Sequence, residues 1–325
     1  MSKQRIGIVL LWLGGIWLGG KGFSQNIVLF DAPGMVITNP VAINAAGTIA
    51  GNCALTQLGP HQGFIRDAGG TITLINPPGS VDTYVTGINW AETIAGRYKD
   101  GAGNTHGFLR DASGNFTVLD VPGSPYTDVD AINGLGDVTG NYRNASNTRT
   151  FIYIRHADGS FTSVEGLLTF GIPRSINVKG TIAGDGVFEQ GFVREPEGTT
   201  TLFAVPISYI QVAGMNAGGA ISGTSYNLLG NDYHPFVRDP SGNITTFLTE
   251  RSCGANSINE AGEITGGCFA GDAFVRDPGG AIHTFGAPAG SDCLSLTGTG
   301  INSPGVVTGT CGTASGAIHG FVRMP

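Results

Sequence analysis

The sequence predicts an all-β protein, a seven-bladed β-propeller of four-stranded antiparallel blades whose last blade is closed by the N-terminal strand. Three observations support this prediction: one β-rich unit recurs seven times, each unit holds four short alternating runs, and the run missing from the C-terminal unit stands at the N-terminal end. A four-stranded unit of roughly 43 residues has the size of one propeller blade. Helical repeats of that length would show long apolar stripes of period 3.6, and the sequence has none.

An asparagine preceded by Ile or Met marks each unit, with spacings of 45, 44, 44, 39, 43 and 43 residues. A glycine usually follows three residues later, which is typical of a tight turn between two strands. We therefore expect the asparagine side chains to cap this turn, in preference to a ring of metal ligands. The seven residues are Asn44, Asn89, Asn133, Asn177, Asn216, Asn259 and Asn302.

A second signature in every unit is an aromatic residue two positions before an arginine, as in Phe64 and Arg66. A glycine four residues after the arginine usually marks the second tight turn. The arginines could bind an anion or bridge neighbouring blades, and we favour bridging because a feature of every blade commonly serves packing. The expected bridging partners are the aspartates that directly follow four of them, Asp67, Asp111, Asp239 and Asp277.

The two ends of the chain complete each other. The seventh unit stops at Pro325 without a fourth strand. Segment 27–34 resembles the fourth-strand segment 116–123, and both end in Asp-x-Pro-Gly. We expect 27–34 to pair with 298–325, so that residues 25–325 form a single propeller domain. A ring closed in this way ties the two ends of the chain together and leaves no blade open.

The first 24 residues are typical of a signal peptide. Lys3 and Arg5 precede an apolar run from Ile6 to Gly20, which is shorter than the ~20 residues needed to cross a bilayer. An uncleaved N-terminal anchor is the alternative. After cleavage the sequence predicts no membrane span, and therefore a secreted protein, either extracellular or periplasmic.

The composition limits the partners that the chain can take. Only 13% of the residues are charged and the net charge is −7, so no basic field is present to hold nucleic acid. No cofactor-binding motif and no Cys/His spacing typical of a metal site occurs, and we predict neither a cofactor nor a metal. We expect a monomer.

The repeated pattern Ile-Asn-x-x-Gly-x-Ile-x-Gly, followed by His-Gly-Phe-x-Arg-Asp-x-x-Gly, resembles the extracellular HAF repeat, named for His-Ala-Phe. The resemblance covers nearly the whole chain after the signal peptide. The naming tripeptide itself is replaced by 106–108 His-Gly-Phe, 319–321 His-Gly-Phe and 234–236 His-Pro-Phe. The resemblance implies an exported bacterial protein of propeller-like repeats and carries over no catalytic residue.

Four of the five cysteines are expected to form two disulfides. Cys253 and Cys268 lie at equal distances from the middle of one asparagine turn, and Cys293 and Cys311 flank the next turn in nearly equivalent places. Each pair should therefore face across a hairpin. Cys53 stands opposite Thr38 in the repeat frame, so we expect it to be a free thiol.

Seven of the eight tyrosines fall where second and fourth strands end, on the face opposite the tight turns. Rings mixed with short polar and charged groups suit a groove for a glycan or a peptide, although tyrosines can also simply pack long loops. The predicted binding residues are Tyr84, Tyr98, Asp100, Tyr126, Asp128, Tyr142, Arg143, Tyr209, Tyr226 and Tyr233.

Three functions stay open on the sequence alone. The first is a secreted, non-catalytic scaffold that binds a glycan or a protein through this tyrosine-bearing face. The second is an extracellular polysaccharide lyase, in which Tyr142 or His106 abstracts a proton and Arg143 neutralises a uronate carboxylate. The third is a structural envelope protein without a small-molecule site. We favour the first because it requires only a groove.

Overall fold

The computed structural model describes residues 26–146, 149–164, 171–186, 189–205, 209–227, 232–248 and 250–325. The predicted signal peptide, residues 1–24, lies outside these ranges. The described chain is all β, with 28 strands. None of the described residues forms a helix that could cross a bilayer.

The antiparallel pairings group the strands in sets of four, which we call units one to seven in the order of their asparagines. Units one and two comprise β2 (Ile37–Ile43), β3 (Ile49–Ala54), β4 (His61–Arg66), β5 (Ile72–Ile75), β6 (Ser80–Ile88), β7 (Ile94–Asp100), β8 (Thr105–Arg110) and β9 (Phe116–Leu119). Units three and four comprise β10 (Ala131–Ile132), β11 (Val138–Arg143), β12 (Thr150–Arg155), β13 (Phe161–Val164), β14 (Ile172–Ile176), β15 (Ile182–Asp185), β16 (Gly191–Arg194) and β17 (Thr200–Phe203). Units five and six comprise β18 (Tyr209–Met215), β19 (Ile221–Asn227), β20 (Asp232–Arg238), β21 (Ile244–Thr246), β22 (Cys253–Ile258), β23 (Ile264–Cys268), β24 (Ala273–Arg276) and β25 (Ile282–Phe285). Unit seven comprises β26 (Cys293–Ile301), β27 (Val307–Thr313), β28 (Ile318–Arg323) and β1 (Ile27–Phe30).

Units two to six are separate four-stranded sheets, and units seven and one share an eight-stranded sheet. A single parallel pair, Ile37 with Ile318, joins the two halves of that larger sheet. Within unit seven the N-terminal strand β1 runs antiparallel to β28, with Ile27 opposite Arg323 and Phe30 opposite Gly320. The first and last strands of the described chain therefore belong to one antiparallel set.

The conserved spacing of glycine and aromatic residue within a unit has a steric cause. Gly51 of β3 lies opposite Phe64 of β4, whose ring is fully buried. A Cβ atom at Gly51 would lie 2.7 Å from that ring and 2.4 Å from the Asn39 carbonyl oxygen. Only glycine leaves room for the ring at this point of the second strand.

The aromatic-x-Arg signature packs one unit on the preceding one. The Phe30 and Phe64 rings meet edge to face at 6.2 Å, and the Arg66 guanidinium lies 4.9 Å from the centre of the Phe30 ring. Equivalent arginine–ring contacts join later units, at Arg238 with Phe203, Arg276 with Phe247 and Arg323 with Phe285.

The bridging role expected for the arginines is thus present, but the predicted partners were wrong. Arg66 Nη1 donates to the backbone carbonyl of Asp67, and the Asp67 carboxylate accepts from the Thr71 N–H within its own turn. No ion pair between the signature arginines and the following aspartates occurs in the described part of the chain. The aspartate serves the turn, because its side chain reaches the N–H group four residues on more easily than a neighbouring unit.

The expected capping by the asparagines is confirmed. Asn44 Oδ1 accepts from the Thr48 N–H at 3.0 Å, and the other six asparagines make the same bond four residues on. Each asparagine side chain also reaches the next unit, a role that the sequence did not predict. Six Nδ2 groups donate to the backbone carbonyl of the next asparagine, while Asn177 lies against Met215 Sδ. The chain of contacts returns from unit seven to unit one, where Asn302 Nδ2 donates to the Asn44 carbonyl at 3.0 Å.

A β-bulge interrupts the first strand of six units at the same place, three residues before the asparagine. A bulge turns one side chain away from the regular alternation of a strand. The bulged residues are Val41, Thr86, Arg174, Ala213, Asn256 and Thr299. All six line one cavity of about 510 Å³, and Asp130 of unit three lines it from the equivalent position. We call it the central cavity, because every unit contributes a residue in or just before its first strand to the lining.

Both predicted disulfides form, Cys253–Cys268 and Cys293–Cys311. They indicate an oxidising environment, extracellular or periplasmic. Cys53 lies opposite Thr38 and is a buried free thiol, as expected. Burial raises the pKa of the Cys53 thiol to about 11, because a thiolate is poorly solvated there.

Native Cys53 should therefore resist alkylation. In non-reduced peptide maps we expect both disulfide-linked peptides and no label on Cys53 after iodoacetamide treatment at pH 8, because the thiolate is the reactive form. Denaturation without reductant should make Cys53, and no other cysteine, reactive. Rapid labelling of Cys53 in the native protein, or any disulfide that includes Cys53, would contradict this arrangement.

Candidate binding face

The tyrosines predicted to bind lie on the face opposite the asparagine turns, but most are in strands and not in loops. Tyr84 belongs to β6, Tyr98 to β7 and Tyr142 to β11, and Tyr126 follows β9. The strands of several units extend further toward this face than the repeat pattern predicts. Their backbone pairing fixes the direction of each ring.

Each of these four rings has a neighbour against it. The Arg97 guanidinium lies 4.9 Å from the centre of the Tyr84 ring, and His106 stacks on Tyr98 at 5.0 Å. Arg143 lies 4.5 Å from the centre of the Tyr126 ring. Tyr142 stacks on Phe151 at 5.5 Å, and its hydroxyl shares a hydrogen bond with Ser163. Packing therefore accounts for part of the tyrosine pattern.

Three of the tyrosines nevertheless converge on one cavity of about 280 Å³, which we call the tyrosine pocket. Its wall contains Tyr84, Tyr98 and Tyr126. The remaining lining residues are Arg97, Lys99 and Thr105. The pocket thus combines aromatic surface with two cationic side chains and carries no acidic side chain in its wall.

A hydrogen-bond network holds the charged side of the pocket in place. Arg97 Nη1 contacts both carboxylate oxygens of Asp128, at 3.0 and 3.1 Å. The Tyr126 hydroxyl donates to Asp128 Oδ2 at 3.0 Å. Asp128 is itself buried and stands behind the pocket, where it orients Arg97 and Tyr126. A fixed guanidinium is better suited to a planar carboxylate than a mobile one, since less side-chain entropy is lost on binding.

The tyrosine hydroxyls of the pocket are poor proton acceptors at neutral pH. Burial, together with the charge of Asp128 and the hydrogen bond to it, raises the pKa of Tyr126 to about 12. Burial also raises the pKa of Tyr84 and Tyr98, and nearby aspartates add to the effect. The protonated hydroxyls can donate hydrogen bonds, but they are not available as general bases.

The three predicted tyrosines of unit five lie apart from this pocket. Tyr209, Tyr226 and Tyr233 are cross-strand neighbours that stack at 5.3 and 5.5 Å, and Phe269 of unit six extends the row at 5.2 Å. In a stacked row the faces of the inner rings are covered by their neighbours, so a ligand can contact only the ring edges and the outer faces at the two ends. This row stabilises units five and six through cross-strand pairs.

Asp100 and His106 are tied into a local cluster. Asp100 accepts from the Asn104 side chain and backbone, and these bonds lower the pKa of Asp100 to about 2. His106 Nδ1 lies 2.9 Å from Asp120 and its Nε2 lies 3.3 Å from Asp100. Both ring nitrogens are therefore engaged. None of the residues named in the lyase hypothesis, Tyr142 or His106 as the base and Arg143 as the cation, lines the tyrosine pocket or the central cavity.

An equivalent histidine lies at the junction of the chain ends. His319 of β28 contacts Asp31, which follows β1, at 2.8 Å. Burial lowers the pKa of His319, but the hydrogen bond to Asp31 and the charges of Asp31 and Asp292 outweigh burial, so this pKa lies above its ordinary value.

This contact should stabilise the fold only at low pH. A histidine with a raised folded pKa contributes fully below its unfolded value of about 6.5, and the contribution is lost as pH rises through the folded pKa. His319→Gln should cost about 0.5 kcal/mol at pH 5.5, a value reduced by partial exposure, and nearly nothing at pH 8.5. Urea unfolding at both pH values would measure this, with His283→Gln, at an exposed position of β25, as the matched control. An equal cost at both pH values would contradict the assignment.

Arg97 and Lys99 were missed in the sequence, although a signal existed. Both flank Tyr98 on β7, and Arg97 follows the invariant second-strand glycine. Other units carry an uncharged or acidic residue there, namely Asn52, Asn141, Asp185, Thr224, Gly267 and Thr310. A comparison of equivalent positions across units would have identified Arg97 as the exception.

No family model and no curated protein matches the chain. Solved structures do match it over most of both chains, and three of them are β-propeller proteins. A streptogramin B lyase is 14% identical over 91% of this chain and 97% of that chain, with a TM-score of 0.61. Catalytically inactive virginiamycin B lyase from Staphylococcus aureus with quinupristin is 13% identical over 91% and 98%, with a TM-score of 0.60. YCF48 bound to D1 peptide is 12% identical over 92% and 97%, with a TM-score of 0.57. Identities this low show the fold alone, and the chain is accordingly an all-β protein of propeller-like architecture.

Proposed function

We propose that this chain is a secreted, seven-bladed β-propeller that acts as a non-catalytic binding scaffold for an acidic glycan. Three features support the seven-bladed ring: the strand pairings form seven sets of four, β1 pairs with β28, and the asparagine contacts return from Asn302 to Asn44. The two disulfides and the N-terminal segment support export, and the repeated motif supports membership of the HAF-repeat proteins.

The observation that carries the binding function is the composition of the tyrosine pocket. Tyr84, Tyr98 and Tyr126 supply apolar ring surface and hydroxyl donors, while Arg97 and Lys99 supply positive charge. Sugar rings pack their C–H faces on aromatic side chains, and a uronate carboxylate pairs with a guanidinium or ammonium group. A cavity of about 280 Å³ is close to the lower end of the range for small-ligand pockets and suits one sugar residue of a chain.

A binding role is favoured over the lyase alternative by the state of the pocket tyrosines. A lyase requires a general base beside the carboxylate-binding group, whereas the pKa of Tyr126 is raised to about 12. YCF48 bound to a peptide shows that a neighbour of this fold can hold a protein segment. A protein partner is therefore the alternative occupant of the same face.

Titration calorimetry with trigalacturonate tests the proposal. We expect binding by the wild type, no binding of the corresponding neutral galactose trisaccharide, and a loss of about five- to tenfold in affinity for Lys99→Gln, since one charge-assisted contact is removed. Lys179→Gln is the matched control, because Lys179 is exposed in an asparagine turn on the opposite face.

Three results would overturn the proposal. Equal affinity of Lys99→Gln and the wild type would place the glycan elsewhere. Tighter binding of an acidic peptide than of trigalacturonate would make a protein the partner. Release of an unsaturated sugar product, detected by ultraviolet absorbance, would show a lyase.

A further inference from the structure

The central cavity is a second candidate site, which shares Arg97 with the tyrosine pocket and is otherwise lined by different residues. The six bulge positions and the equivalent Asp130 place one residue of each unit in its lining. Five of those side chains are uncharged, and the two charged ones, Asp130 and Arg174, come from neighbouring units. A position that is uncharged in most units and charged in two adjacent ones indicates a local role, because the repeat itself does not require the charge.

Both arginines at the cavity are oriented by an aspartate that does not line it. Arg174 Nε donates to Asp185 Oδ2 at 2.8 Å, and Asp185 Oδ1 in turn accepts from the Val212 N–H. Arg97, which lines both cavities, is held by Asp128. Among the described residues the Arg174 Nη groups have no hydrogen-bond acceptor, so they remain available on the cavity side.

Asp130 interacts electrostatically with both arginines, but no hydrogen bond to either of them is present among the described residues. Its Oδ2 atom is shielded from solvent and accepts no hydrogen bond in the described structure. Burial and the charge of Asp128 raise the pKa of Asp130 to about 7, with a smaller contribution from Asp185, while Arg174 and Arg97 lower it. Near neutral pH the carboxyl group of Asp130 is therefore protonated in a large share of the molecules, and its O–H is a donor that awaits an acceptor.

We propose that the central cavity binds a carboxylate group between Arg174, Arg97 and Asp130. The lining contains two positively charged side chains, Arg97 and Arg174, and one acidic side chain, Asp130. Asp128 and Asp185, the carboxylates that pair with the two arginines, are not part of the lining. Guanidinium forks match the two oxygens of a carboxylate, and a protonated Asp130 adds a third donor. The volume of about 510 Å³ admits a monosaccharide acid or the carboxyl end of a peptide.

Calorimetry with two small acids and their uncharged counterparts tests this site. The probes are D-galacturonate against D-galactose, and N-acetylglycine against N-acetylglycinamide. We expect the acids to bind and the uncharged partners not to bind, and the tighter acid identifies a uronate or a peptide terminus as the source. Arg174→Gln should weaken binding of the acid at least about tenfold, as expected for loss of a charge-assisted contact. Arg174→Lys should weaken it less, because lysine keeps the positive charge beside Asp185.

The pH dependence distinguishes Asp130 from a passive neighbour. If binding requires protonated Asp130, affinity should be about tenfold weaker at pH 8 than at pH 6, and about one proton should be taken up at pH 8. Asp130→Asn keeps a donor at that position and should make the affinity equal at both pH values. Thermal unfolding of every variant confirms that it is folded.

Failure of this site is separable from failure of the glycan proposal. Lys99→Gln should leave binding of N-acetylglycine unchanged, since Lys99 lines the tyrosine pocket and not the central cavity, whereas it should weaken any binding of D-galacturonate in the tyrosine pocket. The central-cavity proposal is overturned if acid and uncharged probes bind alike, if Arg174→Gln and Arg174→Lys both bind as the wild type does, or if the affinity of the wild type is the same at pH 6 and pH 8.

Discussion

Phe30→Ala is expected to lower the free energy of unfolding by about 3 kcal/mol, a large effect for one residue near the chain end. Phe30 ends β1, packs edge to face on the buried ring of Phe64 and lies under the Arg66 guanidinium. Its ring also fills the space above Gly320, where a Cβ would lie 2.5 Å from it. The alanine variant loses apolar burial, an aromatic pair and the arginine contact together.

The matched control for Phe30 is Val28→Ala on the same strand. Val28 is 54% exposed, and its substitution should cost less than about 0.5 kcal/mol. Urea unfolding followed by circular dichroism gives both values. If Phe30→Ala were as mild as Val28→Ala, β1 would be a dispensable attachment, and the closure of unit seven by the N-terminal strand would be wrong.

Asn302→Ala should lower the free energy of unfolding by a similar amount, about 3 kcal/mol. Asn302 is 4% exposed, its Oδ1 accepts from the Val306 N–H, and its Nδ2 donates to the Asn44 carbonyl. Alanine leaves a backbone donor and a backbone acceptor without their side-chain partner, and each such loss costs about 1–3 kcal/mol in a buried site. The expected measurement is again the free energy of unfolding in urea.

A second substitution separates the two bonds of Asn302. Asn302→Asp keeps an acceptor for Val306 but places an oxygen against the Asn44 carbonyl, so it should be nearly as destabilising as alanine. Asn115→Ala, at an exposed asparagine that only supports the turn at Asp111, should cost less than about 1 kcal/mol. If Asn302→Asp left the free energy of unfolding unchanged, the contact between units seven and one would contribute nothing to stability.

The repeat predicted the strands, turns and disulfides because these depend on local order. Asn44 caps a turn made by its own neighbours, and Cys253 faces Cys268 because the hairpin register follows from the turn between them. The Asn302 contact to Asn44 was not predicted, since it depends on how two units lie side by side. The same is true of Arg66, whose partner is a ring of another unit and not the adjacent Asp67.

The lining of the tyrosine pocket was predicted only in part, for a physical reason. Tyrosine content pointed to the face that holds this pocket, but a ring that stacks on its cross-strand neighbour, as Tyr226 does on Tyr233, is indistinguishable in sequence from one that lines a pocket. Arg97 and Arg174 are instead recognised as departures from the repeat. Their significance emerges once the strands place Arg97 beside Tyr126 and the bulge turns Arg174 toward Asp130.

Hydrogen–deuterium exchange with and without trigalacturonate tests the binding face most directly, because it locates the ligand on the chain. We expect slower amide exchange in segments 94–100 and 105–110 and around residue 126, the segments that border the tyrosine pocket. Exchange in the asparagine turns 177–180 and 259–262 on the opposite face should not change. Protection confined to those turns, or no protection at a saturating ligand concentration, would contradict the assignment of this face as the glycan-binding surface.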